Sequence, residues 1–197
     1  EDGIRDPDHS LVGSEMCIRD RHNVENALAA AAAAHHVGVP VAVIADALPA
    51  FAGVKRRLEL LGEVAGVSVY DDFAHHPTAI ASTLAGLHAG RREGRVIALI
   101  EPRSNTMRMG EHRARLAPAT ADADAVYWYQ PEGMDWSLDQ VVAESPVPAV
   151  LCRDIDEMVE QVAAQARAGD ILVVMSNGGF GGIHDKLLAR LQSGSGA

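Results

Sequence analysis

The apolar positions of this chain follow three rhythms. Residues 23–36 (NVENALAAAAAAHH) are dominated by alanine, the best helix former, and Gly38 with Pro40 closes the run. The pattern predicts a helix capped by Asn23 and a second, shorter helix over 41–51 that stops at Gly53. Between 58 and 71 two alternating runs, LELLGEV and VSVYD, are joined by Ala65-Gly66, the period-2 signature of a β-hairpin. Beyond it short apolar runs and helical patterns take turns. Strands are predicted over 96–100, 125–128, 149–152 and 171–175, and helices over 78–88, 111–117, 154–167 and 183–191. In the third of these helices Ile155, Met158, Val159, Val162, Ala163 and Ala166 fall on one face.

Such alternation predicts an α/β fold, a Rossmann-like and mostly parallel sheet with flanking helices on both faces. The first 21 residues are polar and irregular and are set apart as a leader, disordered or foreign to the fold. The closing SGSGA, residues 193–197, reads as a flexible tail.

Composition narrows the picture. The 197 residues are 48% hydrophobic and 22% charged, enough for one good core. A net charge of -10 argues against a nucleic-acid partner, because affinity for polyanions comes from Lys and Arg. The longest uncharged apolar stretch, residues 27–34, is too short to cross a bilayer, and the amino terminus lacks a basic n-region and an apolar core segment. A cytoplasmic protein with no membrane partner is expected. Cys17 and Cys152 lie far apart without ligand-spaced neighbours and read as free thiols.

On open α/β sheets ligands bind beyond the carboxyl ends of the strands, so the loops after strands carry the chemistry. The loop Asp71-Asp72-Phe73-Ala74-His75-His76-Pro77 gathers two carboxylates and two imidazoles before a helix that Pro77 can start. Three readings stand: a nucleotide site, a metal site, or an aspartate capping the helix beside a structural histidine. Lys55-Arg56-Arg57 supplies a cationic knot suited to phosphate, or a solvated turn. Pro102 stiffens a loop whose Arg103 and Arg108 suit an anionic substrate. Ser176-Asn177-Gly178-Gly179-Phe180-Gly181-Gly182 is a glycine-rich strand-to-helix junction, yet neither G-x-G-x-x-G nor G-x-x-x-x-G-K-[ST] occurs in the chain. His35 and His36, at a helix end, read as structural.

Taken in order, these segments resemble the Mur ligase family, the ATP-dependent amide-forming enzymes of peptidoglycan synthesis. HNVENALAA (22–30) is similar to the helix closing that family's central ATPase domain, and GVKRR (53–57) to its interdomain linker. DFAHHP (72–77) is similar to the D-[YF]-A-H-x-P motif that opens its third domain. The resemblance implies closing helices of a truncated ATPase domain over 22–52 and a carboxy-terminal ligase domain over 53–192. GVKRRLELLGEV, YDDFAHHPTAI, EPRSNTMRMG and SNGGFGGIHDKL look most like the member joining L-Ala-γ-D-Glu-meso-diaminopimelate to UDP-N-acetylmuramate in recycling; the L-alanine-adding sister is the alternative.

By resemblance Asn23 and Asn26 contact the adenine end of ATP, Arg57 its phosphates, Asp72 its ribose, and His75 the phosphate side. Arg57 and His75 are thereby the catalytic pair. Arg103 matches the arginine of an N-P-R loop that reads diaminopimelate, although Glu101-Pro102 precede it here, and Ser176, Asn177, Gly178, Gly179 and Phe180 line the peptide pocket. The implied reaction passes through an acyl phosphate, with Mg2+ held by residues upstream of His22, so the isolated chain is expected to be inactive. Two rivals of other classes are a metal-dependent phosphohydrolase using Asp71, Asp72, His75 and His76, and a non-catalytic nucleotide-binding module.

Overall fold

The computed structural model describes residues 21–51, 54–91, 93–103 and 109–194. Cys17, Gly53 and Arg108, singled out above, lie outside them. The described chain divides into two compact units, with the break between Lys55 and Arg56.

The first unit is a helical pair, α1 (Arg21–His36) and α2 (Val41–Ala47), the latter running into a 3-10 turn at Leu48–Ala50. Helix α1 starts two residues before Asn23, which therefore lies inside the helix and is not its cap. The predicted 41–51 helix is split because Pro49 cannot donate the next α-type hydrogen bond. Two alanine-rich helices cannot bury much surface in each other, and Val24, Leu28, Val37, Val41, Val43, Leu48 and Phe51 are exposed.

The second unit holds one six-stranded sheet: β1 (Glu59–Val64), β2 (Val67–Asp72), β3 (Val96–Ile100), β4 (Ala125–Tyr129), β5 (Ala149–Cys152) and β6 (Ile171–Met175). Its order is β1-β2-β6-β3-β4-β5, with only β1 antiparallel to its neighbour. The hairpin turns at Ala65 (φ +52°) and Gly66 (φ +76°), the paired left-handed conformations of a tight hairpin turn. Helices α3 (Pro77–Gly90), α4 (Arg113–Leu116), α5 (Asp139–Ala143), α6 (Ile155–Gln165) and α7 (Ile183–Gly194) flank the sheet. Helix α5 had no predicted counterpart, and α7 runs through Gly194, so the start of the expected tail is helical.

The periodicities sort side chains as expected. Val69, Ile97, Leu99, Leu172 and Val174 form one sheet face and pack with Met158, Val159 and Val162 of α6 and Leu187 and Leu191 of α7. Asp154 caps α6 by accepting from Glu157 N at 2.8 Å. No helix among the described residues is long and apolar enough to cross a membrane.

Candidate functional site

The site follows from the position of β6. This last strand inserts between β2 and β3, pairing Met175 with Asp72 on one side and with Ile100 on the other. The loops after β2, β3 and β6 therefore leave the sheet side by side. Main-chain bonds fasten them: Ser176 N donates to Asp72 O at 3.1 Å and Glu101 N to Met175 O at 3.0 Å. Three segments far apart in sequence thus share one ridge at the carboxyl end of the sheet.

The turn that enters β1 is strained and heavily tied. Arg56 (φ +60°) and Leu58 (φ +49°) adopt left-handed backbone, which costs a side-chain-bearing residue about 1–2 kcal/mol. Offsetting this, Arg56 N donates to Glu59 Oε2 at 2.8 Å and Leu58 N to Asp72 Oδ2 at 2.9 Å. Arg56 and Arg57 place their guanidinium carbons 5.2 and 5.7 Å from the centroid of the Phe73 ring, so both cations share one aromatic ring. Arg57 is exposed, whereas Arg56 is partly covered.

The acidic and imidazole residues of YDDFAHHP point to different tasks. Asp72 is only 3% exposed. Its carboxylate accepts from Leu58 N, from Ala74 N at 2.7 Å and from Thr83 Oγ1 at 3.4 Å. Much of its acceptor capacity therefore organises the loop. His75 holds its Nδ1 2.9 Å from Phe73 O. A carbonyl can only accept, so Nδ1 is the protonated nitrogen that donates and Nε2 is the one left for other partners. His76, not an aspartate, caps α3: its Nδ1 accepts from Thr78 N at 3.3 Å, and Pro77 takes the first helical position. Partial burial lowers the His76 pKa, reinforced by His112, Arg115 and His75; the His112 ring lies edge-on at 4.5 Å.

These assignments dissolve the four-ligand metal reading. Asp71 faces Arg56 and His184, Asp72 faces main-chain amides, and each imidazole is turned to its own backbone partner. Among the described residues no three His, Cys, Asp or Glu side chains group as a metal site.

On the other side of the ridge, Ser176 Oγ donates to Glu101 Oε2 at 2.5 Å and accepts from Gly178 N at 2.9 Å. Ser176 and Phe180 are fully buried, and the Phe180 ring packs against Tyr129 with centroids 5.5 Å apart. Neither can touch a peptide directly, which corrects that part of the expected pocket: Ser176 shapes the loop and Phe180 anchors it in the core. Asn177 and Gly178 are partly covered and Gly179 is exposed. Arg103, also exposed, lies on Gly178: a Cβ there would stand 2.5 Å from Arg103 Nη1. Asn177 Oδ1 is buried without a hydrogen-bond partner among the described residues.

Sequence reasoning missed Arg56, Asp71, Glu101 and His184 as organisers of the ridge. The sequence signals were the cationic run at 55–57 and the acidic pair at 71–72, in which nothing separates the partly covered arginine from the exposed one. Asn26, on α1, is exposed, and Asn23 belongs to the same helix.

The comparisons with known proteins agree with this architecture. Residues 56–178, more than half of the chain, match the family described as Mur ligase, glutamate ligase domain. The chain is 52% identical over 181 residues to the UDP-N-acetylmuramate–L-alanyl-γ-D-glutamyl-meso-2,6-diaminoheptandioate ligase of Escherichia coli K12, covering 91% of this chain and 38% of that protein. The ligase of the same name from Haemophilus influenzae is 47% identical over 173 residues, covering 87% and 38%. A solved murein peptide ligase from Psychrobacter arcticus superposes with a TM-score of 0.68 at 46% identity, covering 87% of this chain and 37% of its own. The chain thus spans little more than a third of the length of these relatives. With the α/β sheet, the loop ridge and the family match in agreement, the chain belongs to the Mur ligase family.

Proposed function

We propose that this chain is the carboxy-terminal part of a cytoplasmic ATP-dependent ligase that joins L-Ala-γ-D-Glu-meso-diaminopimelate to UDP-N-acetylmuramate in peptidoglycan recycling. The domain division belongs to the same reading: residues 22–52 close an ATPase domain and 53–192 form the acceptor domain. The observation that carries the proposal is the seat of Arg103. Its guanidinium rests on a glycine where the loops after β3 and β6 meet, exposed and shaped to take a carboxylate in a two-point fork. The relatives that share about half of the sequence are named for the diaminopimelate-containing substrate.

Around that seat the chain's own residues have definable tasks. Arg57, stacked on Phe73, offers an exposed cation for the phosphates of ATP. His75 presents its Nε2 lone pair, or a proton when charged, to the phosphate side. Asp72 fixes the loop that serves the ribose. Asn23 and Asn26 serve the adenine end. Asn177, Gly178 and Gly179 border the peptide. When bound, Mg2+ supplies charge neutralisation for phosphoryl transfer, with ligands outside the described residues.

The test is turnover by the full-length protein that carries this chain, given ATP, UDP-N-acetylmuramate and the tripeptide. UDP-linked tripeptide should form, and Arg57→Ala should lower kcat by about two orders of magnitude, the usual effect of removing a cation aimed at developing charge. Preferential use of free L-alanine would assign the sister activity, whose named relatives are 32–37% identical.

A further inference from the structure

Arg56, Asp71 and His184 form a partly buried cluster that none of the roles above uses. The main chain of Arg56 is held independently of its side chain: its N donates to Glu59 Oε2, and its carbonyl accepts from Phe73 N at 2.8 Å. The path of the backbone into Arg57 is thereby set. The Arg56 side chain instead crosses to the loop after β6, where Nη2 donates to Ser176 O at 2.7 Å and to Gly178 O at 2.8 Å. Its Nε donates to Asp71 Oδ2 at 3.1 Å. Asp71 is 7% exposed, and its other oxygen faces His184 Nε2 at 3.1 Å without the alignment of a hydrogen bond.

One guanidinium nitrogen bonded to two carbonyls of a three-residue segment fixes that segment's curvature. The Gly178 N–Ser176 Oγ–Glu101 chain ties the same segment a second time. The segment so fixed is the one on which Arg103 lies.

We infer that Arg56 is a positioning residue for the acceptor peptide: it holds the Ser176–Gly178 backbone on which the Arg103 guanidinium is seated, and Asp71 sets its orientation. The inference rests on the reading of Arg103 as the fork for the peptide carboxylate. Lysine cannot substitute, since its donors radiate from a single atom and do not span Asp71 and two carbonyls as a planar fork does.

The experiment uses the full-length protein with saturating ATP and UDP-N-acetylmuramate and varied tripeptide, comparing Arg56→Lys, Asp71→Asn, Arg103→Ala and the Arg56→Lys/Arg103→Ala pair. Arg56→Lys should raise the tripeptide KM about tenfold while the KM for ATP stays within about twofold. The double variant should be no worse than Arg103→Ala alone, because a seat without its occupant has nothing to position. Asp71→Asn should fall between, and it carries the same readouts should Arg56→Lys fail to fold.

A normal tripeptide KM in Arg56→Lys beside a raised one in Arg103→Ala would overturn the positioning role and leave the reading of Arg103 intact. Additive losses would also overturn it, by showing that Arg56 acts on its own account. If Arg103→Ala leaves the tripeptide KM unmoved, the reading of Arg103 fails and the inference about the peptide fails with it. Amide exchange at Gly178 in this chain tests the loop clamp separately: acceleration in Arg56→Lys supports the clamp, and an unchanged rate removes it.

Discussion

Gly178 and Arg103 compete for one space: a Cβ on Gly178 would stand 2.5 Å from Arg103 Nη1 and 2.6 Å from its Cδ. The overlap involves the outer half of a flexible, exposed side chain, so Arg103 can swing away at little cost to the fold. Gly178 is not among the glycines held at positive φ, so alanine fits its backbone. Gly178→Ala should therefore change stability by no more than about 1 kcal/mol, the range of a substitution that strains neither core nor backbone. Because it unseats Arg103, it should raise the tripeptide KM about tenfold. Thermal melting of the chain and peptide-dependent kinetics of the full-length protein separate the two effects; a large loss of melting temperature would mean that the glycine is needed for packing instead.

His76 gives the fold an acid-sensitive joint. Burial, His112, Arg115 and His75 all hold its pKa below the ordinary 6.5, and its Nδ1 must stay unprotonated to accept from Thr78 N. Above pH 6.5 the group is neutral in both folded and unfolded chains and contributes no pH dependence. As pH falls through 6.5 the unfolded chain takes the proton first, so stability declines until the folded pKa is passed. Asparagine keeps a cap acceptor without titrating. Urea unfolding should thus show a smaller loss between roughly pH 7 and 5 for His76→Asn than for the unaltered chain. Equal slopes would show that the joint does not carry the effect.

At the opposite end of the sheet, Asp170 is a structural carboxylate. Burial pushes its pKa up, but a two-point pairing with Arg95 (3.2 and 2.6 Å) and the Arg95 and Arg167 amides (3.0 and 2.9 Å) bring it below the usual 3.8. Its contribution is complete above pH 3.8 and is lost as pH falls toward the folded pKa. Arg95 is one third exposed, which softens the cost of losing its partner. Asp170→Asn should cost about 3 kcal/mol, near the lower bound for breaking a buried pair, and lower Tm by roughly 6–12 °C. The tripeptide KM should not change, since this end of the sheet is remote from the loop ridge; calorimetry and kinetics check the two halves.

Much of the architecture was legible because local sequence rules govern it. Apolar runs bounded by turn residues marked β3, β5 and β6 residue for residue, and Ala65-Gly66 announced the hairpin turn. Helix α5 escaped notice because DQVVA is five residues long, too short to show a period. The α/β class and the three loops that deserved inspection also followed from the sequence.

What lies within those loops was decided by tertiary structure. In the sequence Arg56 and Arg57 are interchangeable, as are Asp71 and Asp72. Only the insertion of β6 between β2 and β3 gives Arg56 two carbonyls to bind and leaves Arg57 exposed on Phe73. The burial of Ser176 and Phe180, which removes them from direct contact with a ligand, depends on neighbours at residues 101 and 129. Hydrophobic periodicity is a property of adjacent residues and can be read along the chain. The pairing of a charge is a property of space, set by which strands come to lie side by side.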